Sequence, residues 1–296
     1  MNHKAKIKIM RNISYFKVLF PILLLVTLSA CPNPEEENDA LSGYIYFDFS
    51  SSLFRLNTKE NTVEKLTNNA TQPDVMSNGN IVALEGGATG KIIITDLYGT
   101  NRKTILSHLN DQNTPHLLTL NAPRISYDQK NIAYDGYNYR PVTYVVDAVT
   151  GALIYTIGTY NNSNEHFYSP SWAPDGSLFV QGGKATNNGI YKIDKTFSSI
   201  TRIDPQLSNV EFPAVSPDGS TIAFLKDFEL WTMGVDGSNP TKINTNLQGI
   251  SPPTWSPDSK NIAIIAYTTI YVVNLNALTI ESVAENAAQY SRMSWR

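Results

Sequence analysis

Few residues of this chain are suited to chemistry. Beyond the first thirty residues there are three histidines, His108, His116 and His166. Histidine titrates near neutrality and ligates metals. Glu165 lies next to the third, and Asp135 sits in a stretch rich in Gly, Tyr and Asn. An acid–base pair built from these would be sparse. The chain has no Gly-x-Ser-x-Gly elbow, no His-Glu-x-x-His and no paired cysteines for zinc. Gly86-Gly87-Ala88-Thr89-Gly90-Lys91 has a superficial likeness to a phosphate loop. It lacks the first glycine at the needed spacing, its lysine is followed by Ile92, and it joins two strands instead of opening a helix. It reads as a hairpin connection. These residues define no catalytic site, no metal site and no cofactor site.

The elements that must position such residues come from a repeated phrase. Trp172-Ala173-Pro174-Asp175-Gly176 returns as Val215-Ser216-Pro217-Asp218-Gly219 and as Trp255-Ser256-Pro257-Asp258-Ser259. A short β-rich run follows each copy. Aligned on the first residue of the phrase, the column reads Val75, Ile125, Trp172, Val215, Trp255 and Trp295, with spacings of 50, 47, 43, 40 and 40. Such a period matches four-stranded propeller blades. In blade five, residues 212–216 read as strand A, 221–225 as B and 230–235 as C, with D beginning at 241. Apolar runs of four to six residues broken by Gly, Asn, Asp or Pro leave no helical period.

Turn chemistry explains the phrase. Proline presets φ, aspartate bonds the backbone ahead of it, and glycine takes the positive φ that closes the hairpin. Asp175, Gly176, Asp218, Gly219 and Asp258 are therefore structural, and Trp172, Trp255 and Trp295 are wedges between neighbouring sheets. The fold begins at Gly43-Tyr44-Ile45-Tyr46-Phe47 as a B strand without an A strand. The chain finishes at Ser294-Trp295-Arg296 as an A strand without a B. The sequence predicts an all-β, six-bladed propeller of four-stranded blades over residues 43–296, its first blade closed by the C-terminal strand.

The phrase, with Ile-Ala-Phe after it and Trp-Thr-Met or Ile-Tyr-Val-Val in strand C, resembles the repeat of TolB-type six-bladed propellers. The resemblance covers about residues 43–296 and is most specific in the last three blades. TolB proteins carry an α/β domain ahead of the propeller, whereas residues 31–42 here read as a tether. The resemblance thus implies the architecture and an envelope binding role, rather than partnership in the Tol–Pal system.

Residues 1–30 read as a signal peptide. Lys4, Lys6, Lys8, Arg11 and Lys17 precede a mostly apolar run over 18–30, too short for a comfortable span. Leu28-Ser29-Ala30-Cys31 resembles the bacterial lipobox, which implies lipidation of Cys31 and cleavage before it. The alternative is an ordinary secretory signal with a chance cysteine. Cys31 is the only cysteine, so no intramolecular disulfide forms. Removing residues 1–30 shifts the formal charge from −3 to −8, with 18 basic against 26 acidic residues. An acidic chain argues against a nucleic-acid partner. Residues 32–40, with Glu35-Glu36-Glu37, form an acidic flexible tether. Pro32 after the cysteine favours the outer membrane, and the acidic run resembles surface-export signals; a plain spacer is the alternative.

The longer periods mark the candidate binding face. The extra residues fall in the connections around His108, His116 and His166, and in loops at 135–141 and 182–188. All lie on one propeller face, over blades two to four. His108, His116, Tyr137, Tyr139, Arg140, His166 and Tyr168 form the candidate patch, since long loops carry function and Tyr and Arg anchor interfaces. Tolerated insertions are the plain alternative. Asp74 and Arg124, one residue before the aligned column, could pair near the channel; an unrelated solvent role for each is the alternative. The reading is a monomeric, lipid-anchored, non-catalytic module of the cell envelope that binds a protein or glycan and meets the membrane only through its anchor. The alternative is a propeller enzyme, a glycan lyase or hydrolase, with its site at the channel mouth. A peptidase-gating propeller is disfavoured because no hydrolase domain follows.

Overall fold

The computed structural model describes residues 43–107, 119–138, 140–158, 165–184, 187–288 and 291–296. Cys31, the tether, His108, His116 and Tyr139 lie outside the described residues, as does the side chain of Arg140.

Twenty-four strands are described. Blade one holds β1 (Tyr44–Phe49), β2 (Ser52–Asn57) and β3 (Thr62–Asn68). Blade two holds β4 (Thr71–Val75), β5 (Ile81–Glu85), β6 (Lys91–Thr95) and β7 (Lys103–Ser107). Blade three holds β8 (Thr119–Ile125), β9 (Asn131–Asn138), β10 (Arg140–Asp147) and β11 (Leu153–Ile157). Blade four holds β12 (Glu165–Trp172), β13 (Leu178–Lys184), β14 (Asn187–Ile193) and β15 (Ile200–Arg202). Blade five holds β16 (Val210–Val215), β17 (Thr221–Lys226), β18 (Glu229–Gly234) and β19 (Thr241–Lys242). Blade six holds β20 (Thr254–Trp255), β21 (Asn261–Ala266), β22 (Thr269–Asn274) and β23 (Thr279–Glu285), and β24 (Ser294–Trp295) ends the chain. Each blade is an antiparallel four-stranded sheet, and blade one has the order β24-β1-β2-β3. The six-bladed propeller and its closure by the C-terminal strand are as the sequence predicts.

Burial falls from the second strand of a blade outward. All six residues of β21 are buried, because both faces of that strand meet other blades, so an unbroken apolar run follows its Asn261. In β22 the pattern loosens, and most of β3 is exposed. The core accordingly divides into six clusters, one at each blade interface. Val82, Leu84 and Ile92 meet Ile132, Tyr134 and Val146 between blades two and three. Ile45, Phe47 and Trp295 meet Ile265 and Val272 between blades one and six.

The repeated turns hold themselves. The Asp218 carboxylate accepts from the Ser216 hydroxyl at 2.5 Å and the Ser220 N–H at 3.0 Å. Asp258 repeats this with Ser256 and Lys260 at 2.5 and 3.1 Å. Asp175 accepts the Ser177 N–H at 2.8 Å. Gly176 and Gly219 have φ of 87° and 74°, where a Cβ is disfavoured.

Adjacent first strands are latched in two ways. At three positions the residue before the aligned column accepts the next blade's backbone N–H through its side chain. Asp74 Oδ2 accepts from Ile125 at 2.8 Å, Ser171 from Val215 at 3.0 Å, and Ser294 from Val75 at 3.2 Å. Arg124 and Ala214 cannot accept through their side chains. The next blades then carry tryptophan, whose indole N–H donates to the carbonyl oxygen of Arg124 at 3.0 Å (Trp172) or of Ala214 at 2.8 Å (Trp255). Trp295 follows Thr254, and its buried indole nitrogen has no hydrogen-bond partner.

The ring closes through β24. Ile45 pairs with Trp295 and Tyr46 with Ser294. Tyr44 N–H donates to Arg296 O at 2.5 Å, Arg296 N–H to Tyr44 O at 3.0 Å, and Arg296 Nε to Val75 O at 3.0 Å. The C-terminal strand thereby grips blades one and two together.

The stretches at 135–141 and 182–188 differ from the sequence expectation. They are not loops: β9 and β10 pair out to Asn138 and Arg140, and β13 and β14 out to Lys184 and Asn187. The glycines that suggested a loop serve packing. Gly182 pairs with Phe167, and a Cβ there would lie 2.3 Å from that ring.

Candidate functional site in the central channel

The first strands of the blades wall the channel, and a recurrent irregularity aims their side chains. In blades two to five the strand bulges between Thr71 and Asp74, Asn121 and Arg124, Tyr168 and Ser171, and Glu211 and Ala214. The second residue of each bulge is left-handed: Gln72 (φ 52°), Ala122 (48°), Ser169 (61°) and Phe212 (55°). Bulges leave an unpaired N–H and re-aim side chains. Here each N–H is received by a polar side chain. Asp48 Oδ1 takes that of Gln72 at 2.9 Å, Gln72 Oε1 that of Ala122 at 2.7 Å, and Gln181 Oε1 that of Phe212 at 3.2 Å. Asp135 takes that of Ser169 with both oxygens, at 3.0 and 2.9 Å. Pro252 holds the equivalent place in blade six and has no N–H. Its would-be acceptor in blade five is accordingly Leu225.

These acceptors explain the acid chemistry. Asp135 is buried and also accepts the Thr143 hydroxyl at 3.1 Å. Burial pushes its pKa up to about 6, against the opposing pull of Arg292 and its hydrogen bonds. Asp48, buried and bonded by the Ser291 hydroxyl, is likewise raised. Both carboxylates serve the bulges.

Below the bulges lies a cavity of about 90 Å³ whose wall includes Asp74, Arg124, Tyr127, Phe212, Arg292 and Arg296. Arg292 is 8% exposed and its guanidinium lies 5.6 Å from the Phe212 ring centroid. Arg124 donates to Pro73 O at 3.1 Å. Arg296 caps the far end, 5.8 Å from the Tyr127 ring. Asp74 and Arg124 line the same cavity, but Asp74 accepts from Ile125 and, at 3.1 Å, from Ser294. No ion pair within 4.0 Å involves Arg124 or Arg292 among the described residues.

The predicted patch divides. Tyr168 stands in β12 opposite Gln181, and its hydroxyl accepts from Gln181 Nε2 at 2.6 Å. Burial, with Glu211 nearby, raises its pKa. His166 lies two residues earlier, its Nδ1 buried without a partner. Tyr137 projects from the end of β9, 44% exposed. Glu165 pairs across the strand with Lys184. Among the described residues no group of three His, Cys, Asp or Glu is arranged to hold a metal. The Gly86–Lys91 stretch is a single 3-10 turn between β5 and β6, with Lys91 Nζ 3.7 Å from Glu85. Sequence reasoning missed Arg292 as a channel residue, because only the ring geometry brings a residue from the end of the chain opposite Phe212.

No family model and no curated protein matches the chain. Solved structures do. TolB from Acinetobacter baumannii superposes with a TM-score of 0.69 at 16% identity, over 86% of this chain and 67% of that one. A TolB from Agrobacterium tumefaciens gives 0.66 at 16%, over 86% and 98%. An oligogalacturonate lyase in complex with manganese gives 0.52 at 15%, over 81% and 73%. At such identities the likeness is one of fold: a propeller shared by TolB proteins and by enzymes.

Proposed function

We propose that this chain is a binding module of the bacterial cell envelope, anchored by lipid on Cys31, that receives a protein or glycan at the channel mouth on the face where the first strands begin. The observation that carries the reading is an asymmetric wall beside that mouth. The hairpins of blades one, five and six turn at Phe49–Ser52, Lys226–Glu229 and Ala266–Thr269. Those of blades three and four run on to Asn138–Arg140 and Lys184–Asn187, and Tyr137 stands exposed on the first. Exposed aromatic side chains on a rigid scaffold suit recognition. Among the described residues Asp135, the acid named for an enzymatic site, has both oxygens committed to Ser169 and Thr143.

Photo-crosslinking in the native envelope tests the proposal. A benzophenone side chain at Tyr137 is expected to capture a defined partner. One at Tyr98, which is exposed in a turn on the other face, is expected to capture none. Capture at Tyr98 alone, or at neither position, would overturn the reading.

A further inference from the structure

We propose that the cavity between Arg124 and Arg292 is a binding site for a single carboxylate group, held inside the channel by the two guanidiniums. The inference deepens the binding reading, and rests on it for its biological use, by naming what the channel recognises.

The argument begins with charge. A formal charge of −8 is expected for the chain after residue 30, yet the cavity wall carries three arginines, Arg124, Arg292 and Arg296, against one aspartate, Asp74. A concentrated positive field inside an acidic body has to be maintained against desolvation. Burial first, and then Arg124, hold the Arg292 guanidinium below the usual arginine range. Burial does the same to Arg124, with Arg296 adding to it. Guanidinium groups nevertheless stay charged at neutral pH.

Hydrogen bonding points the same way. A guanidinium carries five N–H donors. Arg124 uses one on Pro73 O. For Arg292 the described residues supply no hydrogen-bond acceptor, only the face of Phe212. Arg292 is 8% exposed and lines the cavity, so its donors are available to a ligand that enters the channel. The carboxylates that might have served are engaged by neighbouring backbone and hydroxyl groups: Asp74 by Ile125 and Ser294, Asp135 by Ser169 and Thr143. Arg124 is also the exception in its column. It stands in the column where Asp74, Ser171 and Ser294 latch the next blade, and it is the cation in that acceptor column.

Size and charge select the occupant. A water needs about 10–15 Å³ of such a cavity, so one of about 90 Å³ has room for a carboxylate or a similar small oxyanion. The carboxylates felt by Arg292 are Asp74 and Asp135. With Asp74 on the wall and Asp135 beyond it, the three arginines keep the site net positive, which favours an anion. The planar fork of a guanidinium matches a carboxylate. A free small carboxylate and a carboxylate at the tip of a larger ligand share this chemistry.

Isothermal titration of the purified chain (residues 32–296) with sodium acetate, against chloride of equal ionic strength, is the test. Saturable 1:1 acetate binding is expected, weakened by about tenfold or more in Arg292→Gln and in Arg124→Gln. The exposed-site variant Lys130→Gln should bind as the parent does. Sulfate should bind more weakly than acetate. Absence of saturable acetate binding by the parent overturns the proposal even if the variants fail to fold. So does unchanged binding in folded Arg292→Gln, or tighter binding of sulfate. A larger ligand is identified if a glutamate-tipped peptide or a uronate competes with acetate at lower concentration. If only acetate-sized acids compete, the ligand is a free small carboxylate. The titration contains no envelope partner, so its failure is separate from a failure of crosslinking at Tyr137.

Discussion

Asp135 in blade three holds the backbone N–H of Ser169 in blade four with both carboxylate oxygens, at 3.0 and 2.9 Å. One buried acid thus joins two sheets at the left-handed residue of a bulge. The same acid bears on Arg292 across the channel.

A pH dependence follows. The folded pKa of Asp135, about 6, lies above the ordinary aspartate value, so the folded state binds its proton more tightly than the unfolded chain does. The stability this confers is present at low pH and is lost as pH rises from about 4 through 6. Asp135→Asn removes the titration but keeps an acceptor for Ser169. Relative to the parent, the variant should gain stability between pH 4 and pH 7, by up to roughly 3 kcal/mol for a shift of two pK units. Urea unfolding of both proteins at each pH measures the gap; a constant gap would contradict the assignment.

The tryptophan latch makes a differential prediction. Trp172→Phe and Trp295→Phe delete the same atoms from buried sites. The first also breaks the indole bond to Arg124 O, whereas the second removes a buried donor with no acceptor. Trp172→Phe should cost about 1–3 kcal/mol more than Trp295→Phe. Chemical denaturation of the two variants checks this, and equal losses would refute the latch.

Closure by β24 is tested by truncation. Deleting residues 292–296 removes the strand that pairs with β1 and the Arg296 bond to Val75. The melting temperature should fall by about 10 °C or more. An unchanged melting temperature would mean that the ring does not depend on its closing strand.

Lipidation is checked in cells. Radiolabelled palmitate should enter the parent and not Cys31→Ser, and the variant should leave the membrane fraction. Equal labelling of both would remove the anchor.

Much of this fold was legible because a repeat reports the same local physics several times over. Pro-Asp-Gly marked the turns of blades four and five and Pro-Asp-Ser that of blade six, and the bare strands at the two ends of the chain marked the closure. The lengthened hairpins were not legible, because Gly182 and Gly183 carry a loop signal. Only the Phe167 ring lying on Gly182 shows why glycine occurs inside a strand there. The bulge acceptors left a faint trace, with Asp48, Asp135 and Gln181 as polar residues directly after an apolar run in the second strands. The channel arginines left less. Arg124 could be placed by the column, but its relation to Arg292 joins residues 168 positions apart, and no local pattern encodes a meeting across a ring.

The closure also has a mechanical side. Gly43 is the first described residue of the propeller, and it lies so close to the chain's end that a Cβ on it would stand 2.7 Å from Arg296 O. Any pull on the chain ahead of Gly43 is therefore delivered to the β1–β24 seam before it reaches another part of the ring. Traction from the N-terminal side would peel β24 from β1 within the first blade before it reaches any other sheet.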